Sequence, residues 1–178
     1  MVIIPTKEMN MAFVGIITSP QKESVTEKQL QTLWRELGIE KNQILLIHKH
    51  NISSMQHIYF QIVMIQQDNP VLHESMDALK VLLEHCEYVI LNTDIAMQPE
   101  KLKHLKLQII TYGFHLKSTI TASSLEHDQV QLCVQRSIQN FHHQLIEPGE
   151  VSVSLHKKDV YQVMEDFILR LLYQKNNE

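Results

Sequence analysis

The stretch Tyr88–Ser124, YVILNTDIAMQPEKLKHLKLQIITYGFHLKSTITASS, decides how the rest of the chain is read. It holds two apolar, β-rich runs, Tyr88–Leu91 and Leu107–Thr111, each short enough for a buried strand. The first closes on Asn92-Thr93-Asp94 and the second on Tyr112-Gly113-Phe114. Asn and Asp serve turns by bonding nearby backbone, and Gly113 can supply the positive φ of a tight turn. A short helix near Pro99–Leu105 separates the runs, a strand–helix–strand order that favours parallel pairing.

The same alternation extends towards the N-terminus. Met1–Asn10 reads as an arm or edge strand, and Met11–Thr18 (MAFVGIIT) as a buried strand bounded by Ser19-Pro20. Ser24 and Glu27 have capping-box spacing, Leu30, Leu33, Trp34 and Leu37 recur at helical period, and Gly38 closes that helix. Ile44–His48 and Ile58–Ile65 are two more strands, and Asp68-Asn69-Pro70 breaks the chain. Ser75–Cys86 is the next helix, with Met76, Leu79, Leu83 and Cys86 on one face.

The pattern changes after Ser118. Val130, Leu132 and Val134 alternate with polar neighbours, the signature of a half-buried strand. Phe141–Ile146 and Val151–Leu155 flank the Pro148-Gly149 turn and read as a hairpin. Val160, Val163, Met164, Phe167, Ile168, Leu171 and Leu172 form a helical stripe too apolar to leave in water. The expected fold class is therefore α/β, a mostly parallel sheet flanked by helices, with a small antiparallel β lobe near the C-terminus. The expected organisation is one domain over 1–178: an α/β part at 11–117, the lobe at 118–155 and a closing helix at 156–174.

Composition narrows the function. The chain has 178 residues, 44% hydrophobic and 20% charged, enough for a real core. A net charge of −4 argues against a general nucleic-acid grip, which needs clustered Lys and Arg. No apolar run approaches the roughly 20 residues that span a bilayer, and no signal-peptide pattern opens the chain. Cys86 and Cys133 lie in no CxxC pair and are expected to be reduced packing residues of a cytoplasmic protein.

The order VILNTD, IITYGF, STITASS, antiparallel strands and closing helix resembles the far half of the central, ATP-binding domain of the Mur ligases. These enzymes build the peptide of bacterial cell-wall precursors. The match covers roughly Asp77–Tyr173. The resemblance implies a Mur-like sheet, and it implies a nucleotide-facing edge at Asn92 and Asp94, the two cofactor-binding candidates.

The near half departs from the family. A GxxGK[ST] loop should follow the first strand, where backbone N–H groups and the Lys hold ATP phosphates. Here the chain reads FVGIITSPQKES; Lys22 follows Pro20, which removes a donor. The family's metal-binding carboxylate falls at Ile65, with Asp68 three residues on. Its frequently carbamylated Lys has no counterpart at the right spacing, Lys80 being too close to His73. The family's C-terminal domain is expected to have no counterpart here.

The expectation is thus a non-catalytic binding or scaffold module with no catalytic residues, no metal site and no cofactor. Its partners would be another protein or itself. The alternative is a divergent nucleotide or cell-wall-precursor binder, or one subunit of a split ATP-dependent ligase. Asn92 and Asp94 have a plainer reading too, as a turn that bonds itself, and that reading is favoured. Thr18-Ser19 ahead of a helix is a weaker candidate anion site. His48 and His50 share a strand face but lack further ligands, and adjacent His142 and His143 point apart.

Overall fold

The computed structural model describes residues 13–19, 21, 32–66, 70–94 and 102–175. The arm at Met1–Asn10, the Ser24–Glu27 capping box, Lys22, Asp68 and most of the helix near Pro99–Leu105 lie outside them. Ten strands are described: β1 Phe13–Ile17, β2 Ile44–Leu46, β3 Phe60–Ile65, β4 Cys86–Asn92, β5 Gln108–Gly113, β6 Ile120–Glu126, β7 Gln129–Val134, β8 Ile138–Gln139, β9 Leu145–Ile146 and β10 Gly149–Ser154. The helices are α1 at 32–36, α2 Pro70–Glu74, α3 Met76–Leu83 and α4 Val160–Tyr173.

Eight strands form one sheet in the order β10-β7-β6-β5-β4-β3-β1-β2. From β2 to β6 every pair is parallel, while β6–β7 and β7–β10 are antiparallel. The chain is α/β with a mostly parallel sheet, as its alternation indicates. The antiparallel strands β6, β7 and β10 continue the main sheet, and β8–β9 is a separate two-stranded piece.

Strand period sorts the core into two layers, because successive side chains point to opposite faces. Val14, Ile16, Ile62, Met64, Tyr88 and Ile90 meet Leu33 and Trp34 of α1 and Val163, Met164, Ile168, Leu169 and Leu172 of α4. Ile17, Val63, Ile65, Val89 and Leu91 meet Val71, Leu72, Leu79, Leu82 and Leu83 of α2 and α3. Each such side chain, taken from water, contributes about 1.5–3 kcal/mol. A face left wet would forfeit that, and so the helices cover both sides.

Gly15 of β1 shows how tight the second layer is. A Cβ there would stand 2.5 Å from Ile47 Cδ1 and 3.1 Å from the Phe60 ring. Gly15→Ala is therefore expected to destabilise the fold by about 1–3 kcal/mol, read in urea melts from the fluorescence of Trp34. Trp34 is the chain's single tryptophan and is fully buried, so it reports global unfolding.

Two expected elements are corrected. The helix expected over Ser75–Cys86 ends at Leu83, and Cys86 opens β4, paired with Phe60 of β3. Helical spacing placed Cys86 beneath Leu83; the ladder with β3 satisfies its backbone instead, and its thiol donates to Tyr88 O at 3.0 Å. A second helix, α2, precedes α3 and starts on Pro70, a residue suited to a first helical position.

The hairpin expected across Pro148-Gly149 is also absent. β10 pairs with β7 over Gly149↔Val134 to Ser154↔Gln129, and β9 turns back on β8. The turn belongs to Asn140, whose side-chain oxygen accepts from His142 N and Gln144 N. Phe141, expected to start a strand, instead packs edge-on between Tyr88 and Tyr173. His142 and His143 therefore lie in a turn rather than on a strand.

Candidate functional site

Parallel pairing brings the carboxyl ends of β1, β3, β4 and β5 to one edge, the place where open α/β sheets bind ligands. Gln66 follows β3, Asn92 ends β4 opposite Tyr112 of β5, and Thr93 and Asp94 follow. Gln66, Asn92 and Tyr112 are buried. Expected at this edge, Asn92 and Asp94 are indeed there.

Their bonds turn inward. Asn92 Oδ1 accepts from Asp94 N at 2.9 Å, an Asx turn. Asp94 Oδ2 accepts from Phe114 N at 2.8 Å and from the Tyr161 hydroxyl at 3.1 Å, tying the end of β4 to the β5–β6 loop and to α4. Thr93 Oγ1 donates to Tyr112 O at 3.0 Å and lies 2.7 Å from Ser118 Oγ. Thr111 and Thr119 bond each other across the base of the same loop. Gly113 sits inside this knot with the positive φ expected of it, +148, but as the last residue of β5 paired with Thr121 rather than in a tight turn.

Beneath it lies a buried polar chain that the motif reading missed. Glu165 of α4 accepts from the Tyr112 hydroxyl and from Gln66 Nε2, the latter at 2.7 Å. Asn92 in turn bonds the Tyr112 hydroxyl. Burial pushes the Glu165 carboxyl up to about 7, against the lowering effect of its bonds to Tyr112 and Gln66; Asp159 and Asp166 push it further up. Burial likewise raises the Tyr112 hydroxyl well above its ordinary value, helped by the neighbouring Glu165. Gln66 Oε1 is buried with no hydrogen-bond partner among the described residues.

The signal for Glu165 was present in the sequence. It stands three and four residues before Ile168 and Leu169, on the apolar side of α4, where a lone carboxylate needs a buried partner.

The other candidates do not join this edge. His48 and His50 stack on each other, centroids 5.0 Å apart, beyond β2. Among the described residues no three His, Cys, Asp or Glu side chains are grouped so as to hold a metal ion. Ile65 is fully buried at the end of β3, Lys80 lies within α3, and Thr18 is buried just after β1. Cys86 and Cys133 are both free thiols, and burial pushes that of Cys86 up to about 12, so it is no nucleophile near neutrality. No helix among the described residues is long and apolar enough to cross a membrane.

No family model and no curated protein matches this chain. Among solved structures it is similar to UDP-N-acetylmuramoylalanyl-D-glutamyl-2,6-diaminopimelate--D-alanyl-D-alanyl ligase from Acinetobacter baumannii, with a TM-score of 0.57 and 12% identity. That likeness covers 92% of this chain and 43% of the ligase chain, so the present chain spans less than half of its neighbour's length. The chain has a Mur ligase-like α/β fold.

Proposed function

We propose that this chain is a non-catalytic Mur ligase-like module that acts by binding, as a scaffold linked to bacterial cell-wall processes, in the cytoplasm. The observation that supports the reading is that the polar side chains described at the ligand edge bond one another. Asn92 and Asp94 are committed to Asp94 N, Phe114 N and Tyr161, and Glu165 to Tyr112 and Gln66. Phosphoryl chemistry needs donors and a metal carboxylate aimed at open space, where charge develops. Here an apolar Ile65 stands where the family carries that carboxylate, and the segment after β1 lacks a Gly-Lys-Ser/Thr.

Calorimetry with Mg-ATP up to millimolar concentrations is expected to give no binding heat. Micromolar affinity lost on Lys22→Ala or Asp94→Ala would overturn the reading. The second reading, a divergent nucleotide or precursor binder or a split-ligase subunit, is favoured by Gln66 Oε1 at the same edge, buried and with no partner among the described residues. It predicts a thermal shift with UDP-linked muramoyl peptides or ATP, and the first reading predicts none.

A further inference from the structure

The two ends of the eight-stranded sheet are unlike. β2 is three residues long and is followed by the cationic turn at Lys49. β10 is six residues long, GEVSVS, and pairs residue for residue with β7 without a bulge. It carries no Pro and no Lys, the usual means of blunting an edge. Among the described residues nothing pairs with its outer side, so every second residue turns its N–H and C=O outward.

We infer that the outer edge of β10 docks a second copy of this chain, the two strands pairing antiparallel about a two-fold axis through Ser152. This rests on the reading of the chain as a binding module and names its contact surface. The strand is complementary to its own reverse. About that axis Ser152 faces Ser152, Val151 faces Val153, and Glu150, the only charge in the strand, faces Ser154. Val151 and Val153 share a face with Leu132 and Val130, their partners on β7, so the copy's valines would extend an existing apolar layer. Val151 is 37% exposed and is large and apolar, unlike a finished edge. The flanks agree in charge: exposed Glu147 and Glu150 precede or open the strand, and exposed His156 and Lys157 follow it. Antiparallel pairing sets each acidic end against the other copy's basic end, whereas parallel pairing would set like against like.

Sedimentation over a range of concentrations tests this on the full chain. The expected result is a reversible dimer. Ser152→Lys places two ammonium groups opposite each other on the axis and should leave a folded monomer that melts where the wild type melts once diluted to its monomer. Should that variant fold poorly, Ser152→Cys in a Cys133→Ser background serves instead, since paired strands bring its two Cα atoms within disulfide reach. It should cross-link under mild oxidation, and Ser124→Cys should not.

A monomeric wild type at every concentration would overturn the inference, whether the edge is then covered by the chain's own residues 1–12 or left for another protein. A dimer indifferent to Ser152→Lys would overturn it too, because the copies would meet elsewhere. Neither result touches the binding-module reading, which falls if Mg-ATP or a UDP-linked muramoyl peptide binds.

Discussion

Raising the pH from about 5 to about 8 is expected to weaken this fold by roughly 3 kcal/mol, and Glu165→Gln is expected to remove most of that loss. The cause is the position of Glu165 under α4, where burial holds its carboxyl at about 7 instead of the ordinary 4.5. Between those two values the folded chain keeps a proton that the unfolded chain has released. Stability therefore falls as pH rises through this window and stays low above it. The Asp166 carboxyl, also raised by burial against the pull of Lys158, adds a slope of the same sign. A Gln at 165 can still accept from Tyr112 and meet Gln66, but it has no charge to desolvate. Urea melts of both proteins at several pH values decide the matter. Coincident pH slopes would show that the Tyr112–Glu165–Gln66 chain is not the source.

How much of this was legible in the sequence depends on the range of the interaction. Local signals were read well. The alternation of Val130, Leu132 and Val134 gave β7, and the Asn92-x-Asp94 turn lies at the strand end where it was expected. Choices between competing partners were not legible. Cys86 fits a helical face and a strand equally by period, and only the presence of Phe60 on β3 settles it. The Pro148-Gly149 turn invites a hairpin, but β10 finds a longer partner in β7, and Asn140 makes the turn that β9 needs.

The site followed the same rule. Asn92 and Asp94 belong to a local motif, whereas Gln66 and Glu165 are 99 positions apart and meet only because α4 crosses the end of β3. A glutamate in an apolar helical stripe announces that a buried partner exists without saying which.

Gly113→Ala, at the buried last position of β5, is expected to cost roughly 2–4 kcal/mol, a large effect for one methyl group. Two independent terms add. At φ +148 an L side chain strains the backbone, on the order of 1–3 kcal/mol. A Cβ would also fall 2.7 Å from both Asp94 Oδ2 and Thr93 Oγ1. Those atoms cannot retreat freely, since each is held: Asp94 by Phe114 N and Tyr161, Thr93 by Tyr112 O and Ser118. Making room means breaking some of those bonds; the two on exposed Asp94 count for little, and the half-buried ones on Thr93 for about 1 kcal/mol each.

Gly38→Ala separates the two terms, because Gly38 has φ +78 but nothing within 4 Å of its would-be Cβ. It should cost only the backbone strain, about 1 kcal/mol. Equal losses in the two variants, followed by Trp34 fluorescence in urea, would mean that the knot around Asp94 yields easily. The ligand edge would then be open to reshaping. A loss at Gly113 several times larger would mean the knot is rigid, as a sheet edge sealed from within requires.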